Sequence, residues 1–103
     1  MYTWRRYNLN KIKSFANKDT EKIYNQEYVK NISKPVQDAG LRKLIMMDAA
    51  DSLLDLSIPP GNRLEKLVGN YDGYYSIRVN NRYRIVFKES NGFFYDVAIE
   101  DYH

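Results

Sequence analysis

Residues 61–87, GNRLEKLVGNYDGYYSIRVNNRYRIVF, decide the fold. Tyr75, Ile77 and Val79 alternate with Ser76, Arg78 and Asn80, and Tyr83, Ile85 and Phe87 alternate with Arg82, Arg84 and Lys88. Both runs have the two-residue period of a half-buried strand, with Val86 the one apolar residue in the polar set. Asn80-Asn81 between them predicts a hairpin turn, because asparagine tolerates positive φ. A two-residue loop would set Val79 against Arg82 and Ile77 against Arg84, mixing the faces. A three-residue loop, Asn80-Asn81-Arg82, pairs Val79 with Tyr83, Ile77 with Ile85 and Tyr75 with Phe87, so that one face is uniformly apolar. Register follows the buried face, and the three-residue loop is expected. The same register sets Arg78 opposite Arg84 on the other face. Facing like charges are unfavourable. The pair implies either an anion between the two guanidiniums or two solvated side chains splayed apart.

Upstream, residues 11–15 read as a short strand, and Asn17 and Asp19 are candidate caps for a helix running through Ile23 to about Tyr28. Ser33 is a candidate N-cap, and Pro35 suits the first turn of a second helix over about residues 35–50. Val36, Gly40, Leu44 and Met47 make a stripe at helical spacing, flanked by Leu41, Ile45 and Ala50. Met46 and Met47 are read as core or groove fillers rather than a recognition surface. Residues 51–56 give a further half-turn, and Pro59-Pro60-Gly61 ends all helix. Residues 62–68 are expected as the second strand, with Arg63, Glu65 and Leu67 on one side and Leu64, Lys66 and Val68 on the other. A turn at 89–92 leads to a last strand, 93–100, expected to bury Tyr95, Val97 and Ile99. The order predicts an α+β domain: a short N-terminal strand, two helices, then an antiparallel sheet of about four strands with the helices packed on one face.

At 103 residues the chain is one small domain. No apolar run is long enough to span a membrane and no signal-peptide core is seen. The absence of cysteine removes disulfides and thiolate metal sites and suits a cytoplasmic protein. A single histidine excludes multi-histidine zinc arrangements. The net charge of +3 is unevenly placed: residues 61–88 carry +4 and residues 89–103 carry −4. A local basic patch of this kind is the usual footprint of a polyanion partner. Ten tyrosines offer stacking planes for bases. Tyr75, Tyr83 and Tyr95 are assigned to the core or its edge, and Tyr71, Tyr74 and Tyr102 to the surface.

Three ordered motifs carry a family resemblance: PPGNRLEKLVG at 59–69, GYYSIRVNNRYRIVF at 73–87 and YDVAIEDYH at 95–103. From about Ile12 onward the chain is similar to the HigB-type toxins of the RelE/ParE superfamily, which implies a RelE-like fold for residues 11–103. Residues 1–10, with the only Trp, precede the resemblance as an extension, either an ordered arm or a disordered terminus. The resemblance implies a type II toxin encoded with a HigA-like antitoxin. It also implies cleavage of messenger RNA in the ribosomal A site with no metal or cofactor. That chemistry is in-line attack of a ribose 2′-hydroxyl on the adjacent phosphate. It needs a proton acceptor, a proton donor to the leaving 5′-oxygen, and cations for the charge that develops between them.

Carried over residue by residue, the resemblance makes Arg84, His103, Tyr102 and Lys66 the candidate catalytic residues. Arg78, Arg63, Arg82, Glu65, Asp101 and Tyr74 are candidates for binding substrate. Arg84 offers a planar fork of donors to a phosphate. His103, with an unperturbed pKa of about 6.5, suits acid or base work near neutrality. Two positions depart from the family pattern. Val68 stands where many relatives have Lys, so Lys66, two residues earlier, is the candidate replacement cation from about 7 Å away. Glu65 stands where some relatives have His, and is either a general base or an ion-pair partner of an arginine.

Three function classes follow, in this order of preference: a ribosome-dependent endoribonuclease, a non-enzymatic ParE-like toxin that binds DNA gyrase, and an attenuated relative kept as an antitoxin partner. With only +1 over residues 11–103, operator DNA is expected to be reached only through the helix-turn-helix domain of the antitoxin.

Overall fold

The computed structural model describes residues 10–101. Helices α1 (Lys18–Tyr24) and α2 (Lys34–Ala49) precede an antiparallel sheet in the order β1 (Glu65–Lys66), β2 (Tyr74–Arg78), β3 (Tyr83–Ser90), β4 (Phe93–Asp101). The hairpin register is the one the alternation predicts: Ile77 faces Ile85, Tyr75 faces Phe87 and Arg78 faces Arg84. The loop closes where the Val79 N–H donates to the Tyr83 carbonyl at 2.9 Å. Asn80 secures it, its side-chain oxygen accepting from the N–H groups of Arg82 and Tyr83 at 2.8 Å each.

The core lies between the helices and the apolar face of the sheet. Leu44, Met47, Leu56, Ile77, Ile85, Phe87, Phe94 and Val97 are fully buried, each large side chain contributing about 1.5–3 kcal/mol. Gly40 lets α2 close on β4, since a Cβ there would meet Ile99 Cδ1 at 2.8 Å. Met47 is in the core, and Met46 packs against it, as expected of gap-filling methionines. Ile45, expected at the edge of the apolar stripe, is exposed.

Four expectations need correction. Residues 11–15 form no regular strand; Ile12 and Phe15 make isolated parallel bridges to Phe94 and Val97 on the free edge of β4. The first helix ends at Tyr24 rather than near Tyr28. Gln26 there takes φ 64°, and the side chain of Gln37 holds Val29 at both its N–H and its carbonyl. That side chain satisfies backbone groups that a helix would have used. The second strand shrinks from 62–68 to Glu65–Lys66, because Pro60–Asn62 is a 3-10 turn and Arg63 follows in the left-handed region at φ 45°.

Finally, Tyr95 is exposed while Phe94 and Val97 are buried. The ladder runs from Val86–Ala98 to Lys88–Tyr95, so β4 carries one extra residue. Asp96 takes φ 53° there, its N–H donating to Ser14 Oγ at 2.9 Å. A bulge of this kind resets the alternation.

Candidate functional site

The face of the sheet turned away from the helices carries the polar set of the hairpin. Cross-strand pairing makes two rows on it: Ser76–Val86–Ala98 with Glu65 beside Ser76, and Arg78–Arg84–Glu100. Arg84 is the centre of the second row and is only 7% exposed. Its Nε donates to Ser76 Oγ at 2.8 Å, and Nη2 donates to the Arg63 carbonyl at 2.7 Å. The Glu65 carboxylate stands 3.7 Å from Nη2. A buried cation is tolerated only with this degree of hydrogen bonding and pairing.

The two arginines resolve their repulsion by parting. Arg84 turns inward onto Ser76, Arg63 and Glu65, while Arg78 turns out to the hairpin loop. The Arg78 Nε donates to the Asn80 carbonyl at 3.2 Å and Nη2 to Asn81 Oδ1. Glu65 is thus an ion-pair partner of an arginine, one of its two expected roles. Arg63 is exposed, and its backbone rather than its side chain serves Arg84.

Arg82 sits in the loop and grips Asp101, with Nε and Nη2 donating to Oδ2 at 3.0 and 2.8 Å. That bond, and the charge behind it, raise the guanidinium's pKa further. Asp101 is the last described residue and lies opposite Tyr83, so the chain reaches the hairpin-loop end of the sheet. Tyr102 and His103, the candidate proton-transfer pair, lie outside the described residues.

Lys66 is not brought to this face. It pairs with Tyr75, whose ring stacks on core Phe87 at 6.1 Å, whereas its neighbour Glu65 pairs with Ser76. Val68 is 81% exposed beyond the end of β1. Tyr74 lies under the Lys88 ammonium, 5.0 Å from ring centroid to Nζ, and meets Tyr71 edge-on at 5.7 Å.

Two participants were missed in the sequence, and a third, Tyr71, was named only as an exposed stacking plane. Ser76 reads as an ordinary solvent-face residue, although its hydroxyl fixes Arg84. Glu100 faces Arg84 only because the β4 bulge sets that register. Tyr71 donates to Glu100 Oε1 at 3.1 Å, and that bond raises the phenol's pKa. A cleft between α1 and α2, lined by Tyr28, Gln37 and Leu41, belongs to the helical layer and holds none of the site residues. Among the described residues no group of three or more His, Cys, Asp or Glu side chains gathers to ligate a metal, and no helix is long and apolar enough to cross a membrane.

Comparison with known proteins places these features in company. The family profile described as RelE-like toxin of type II toxin-antitoxin system HigB matches residues 13–103. Toxin HigB-1 of Vibrio cholerae is 46% identical over 71 residues, 69% of this chain and 70% of that protein. Endoribonuclease HigB of Proteus vulgaris is 30% identical over 92 residues, 89% of this chain and 99% of that one. Among solved structures, a chain of the YoeB-YefM complex from Staphylococcus aureus superposes with a TM-score of 0.57 at 25% identity. The match covers 91% of this chain and 97% of that chain.

Proposed function

The chain belongs to the RelE-like HigB toxins of type II toxin–antitoxin systems, and we propose that it is an endoribonuclease acting on ribosome-bound messenger RNA and neutralised by a HigA-like antitoxin. The observation that carries this reading is Arg84: a buried, rigidly held cation at the centre of a polar sheet face, with Arg78 beside it. Preorganised charge aimed at a phosphate is what in-line attack by a 2′-hydroxyl requires, because the largest catalytic term is electrostatic and is available before the reaction begins. The name of the Proteus vulgaris relative, an endoribonuclease aligned over nearly its whole length, supports the same reading.

In this mechanism Arg84 supplies fixed positive charge beneath the reacting phosphate, and Ser76, Arg63 and Glu65 keep its guanidinium in place. Arg78, Arg82, Arg63 and Tyr74 lie around it as binding residues. His103 and Tyr102, which follow Asp101 in sequence, take the proton-transfer roles, and Arg82 anchors Asp101 itself. The antitoxin, through a helix-turn-helix domain of its own, makes the operator contacts.

Primer extension on messages from cells expressing the chain, and on purified message with and without ribosomes, tests the proposal. Ribosome-dependent cuts that disappear in Arg84→Ala are expected. DNA damage without RNA cleavage would replace this reading with a gyrase-binding one. Binding to the antitoxin with neither effect would identify an attenuated toxin.

A further inference from the structure

Three cations that no carboxylate neutralises among the described residues, Arg42, Lys43 and Arg78, lie beside the site, at the meeting of three elements. Lys43, in the middle of α2, donates to Asn62 Oδ1 at 2.5 Å. Asn62 is itself fully buried, its amide nitrogen donating to the Leu56 carbonyl at 2.9 Å and reaching Met46 Sδ at 3.2 Å. The Lys43 ammonium is therefore held at a fixed place rather than spread over rotamers. Arg42 precedes it on α2, and Arg78 ends β2. The 3-10 turn that holds Asn62 packs against β2, which brings Lys43 toward Arg78, and partial burial, then Arg42, then Arg78 lower the pKa of Lys43. Among the described residues no carboxylate lies at ion-pair distance from Arg42, Lys43, Arg63 or Arg78.

Holding like charges together costs free energy, and here neither a carboxylate nor deep burial of a hydrogen-bonded pair offsets it. The contrast with the neighbouring cations is informative. Arg84 has Glu65 and Arg82 has Asp101, whereas Arg42, Lys43 and Arg78 at the α2–β2 junction have no such partner among the described residues. Asn62 and Arg63 connect the two places: the side chain of the first takes Lys43, and the carbonyl of the second takes Arg84.

We propose that Arg42, Lys43 and Arg78 form a second phosphate-binding site, which takes an RNA phosphodiester other than the scissile one. This rests on the RNA-cleaving reading above and adds to it a set of contacts that position the strand without touching the reacting atoms. Asn62 is a positioning residue, acting through Lys43.

The test is binding of a fluorescent 2′-O-methyl oligoribonucleotide, which cannot be cut, at several salt concentrations, and of ribosomes with and without message in the A site. Lys43→Ala and Arg42→Ala should each weaken binding about three- to tenfold. Each should also lower the slope of log affinity against log salt by about 0.7, the share of one phosphate on a single strand. Lys43→Arg should restore most of the affinity, and Lys34→Ala, whose lysine already pairs with Asp38 at 2.8 Å, should change nothing. Arg42 is exposed, so its variant carries the test if Lys43→Ala folds poorly. Weakening on ribosomes only when message is present assigns the phosphate to the substrate strand; equal weakening without message assigns it to ribosomal RNA. Unchanged affinity and slope in both alanine variants of a chain that still cuts A-site message overturn this inference alone. No RNA binding by the wild-type chain, free or ribosomal, overturns it together with the proposed function.

Discussion

The guanidinium of Arg84 donates to the backbone carbonyl of Arg63 at 2.7 Å, tying the start of β3 to the left-handed residue that closes the loop before β1. A residue proposed to act on substrate is thus also a brace of the fold. Arg84→Ala should abolish cleavage and also destabilise the protein, by about 1–3 kcal/mol for the buried acceptors it orphans. In a domain of this size that lowers Tm by roughly 4 °C or more. Repulsion with the facing Arg78 alone would give the opposite sign. A thermal melt unchanged in Arg84→Ala would show that the Ser76 and Arg63 contacts carry no stability.

Lys66 and Val68 can be separated by activity. Because Lys66 shares its face with Tyr75 and not with Arg84, Lys66→Ala should keep the cleavage rate within about twofold, far from the 100-fold or larger loss typical of a positioned catalytic group. A drop of that larger size would return Lys66 to the site.

Asp48 fastens the N-terminal segment. Its Oδ1 accepts from the N–H groups of Lys11 and Ile12 at 3.1 and 3.0 Å, and its Oδ2 accepts from the Tyr24 hydroxyl. Asp48→Ala should cost about 1–3 kcal/mol in urea unfolding, with no change in the register of the hairpin. A midpoint equal to wild type would mean these bonds are replaced by water.

The same contact gives a pH prediction. Burial first, and then the bond to Asp48, push the Tyr24 phenol well above its ordinary value. The folded state therefore holds this proton more tightly than the unfolded chain does. The stabilisation is complete below about pH 10, where unfolded tyrosine ionises, and is lost as pH rises beyond it. Tyr24→Phe should flatten this alkaline decline in urea midpoints between about pH 9 and 11. An equally steep decline in the variant would assign it to other groups.

Arg82 and Asp101 are both exposed, so solvent screening leaves the pair little effect on stability. Its expected effect is on delivery of the C-terminal residues. Asp101→Ala should lower cleavage several-fold while Tm moves by about 2 °C or less. Parallel loss of both would make the pair structural.

The hairpin and its register were legible because a period of two and a buried face admit a single solution. The Arg78–Arg84 row followed from that register without further information. What was not legible depended on side chains reaching across the chain. Gln37 ends the first helix by holding Val29, which no local pattern announces. Asn62 shortens the second strand by turning inward to Leu56. The bulge at Asp96 was hidden because Tyr95, Val97 and Ile99 already alternated; only pairing with Ser14 and β3 shows that Phe94 is the buried residue. Within the site, the arginines and Glu65 were found from the pattern, while Ser76, which fixes Arg84, and Glu100, which faces it, were not.

The pairing of β4 with both β3 and the 12–15 segment has a consequence for how the molecule is made. The strand occupying the interior of this layer follows all its partners in the chain, and although β3 already has β2, the 12–15 segment must wait for it. Residues 12–15 have no β-sheet partner until residues 93–101 have left the ribosome, and α2 lacks the Ile99 side chain against which Gly40 closes. Domains with such long-range pairings fold slowly, so the layer is completed only once β4 is in place. A truncation within β4 should accordingly unsettle residues 12–15 and the packing of α2 as well as the sheet itself.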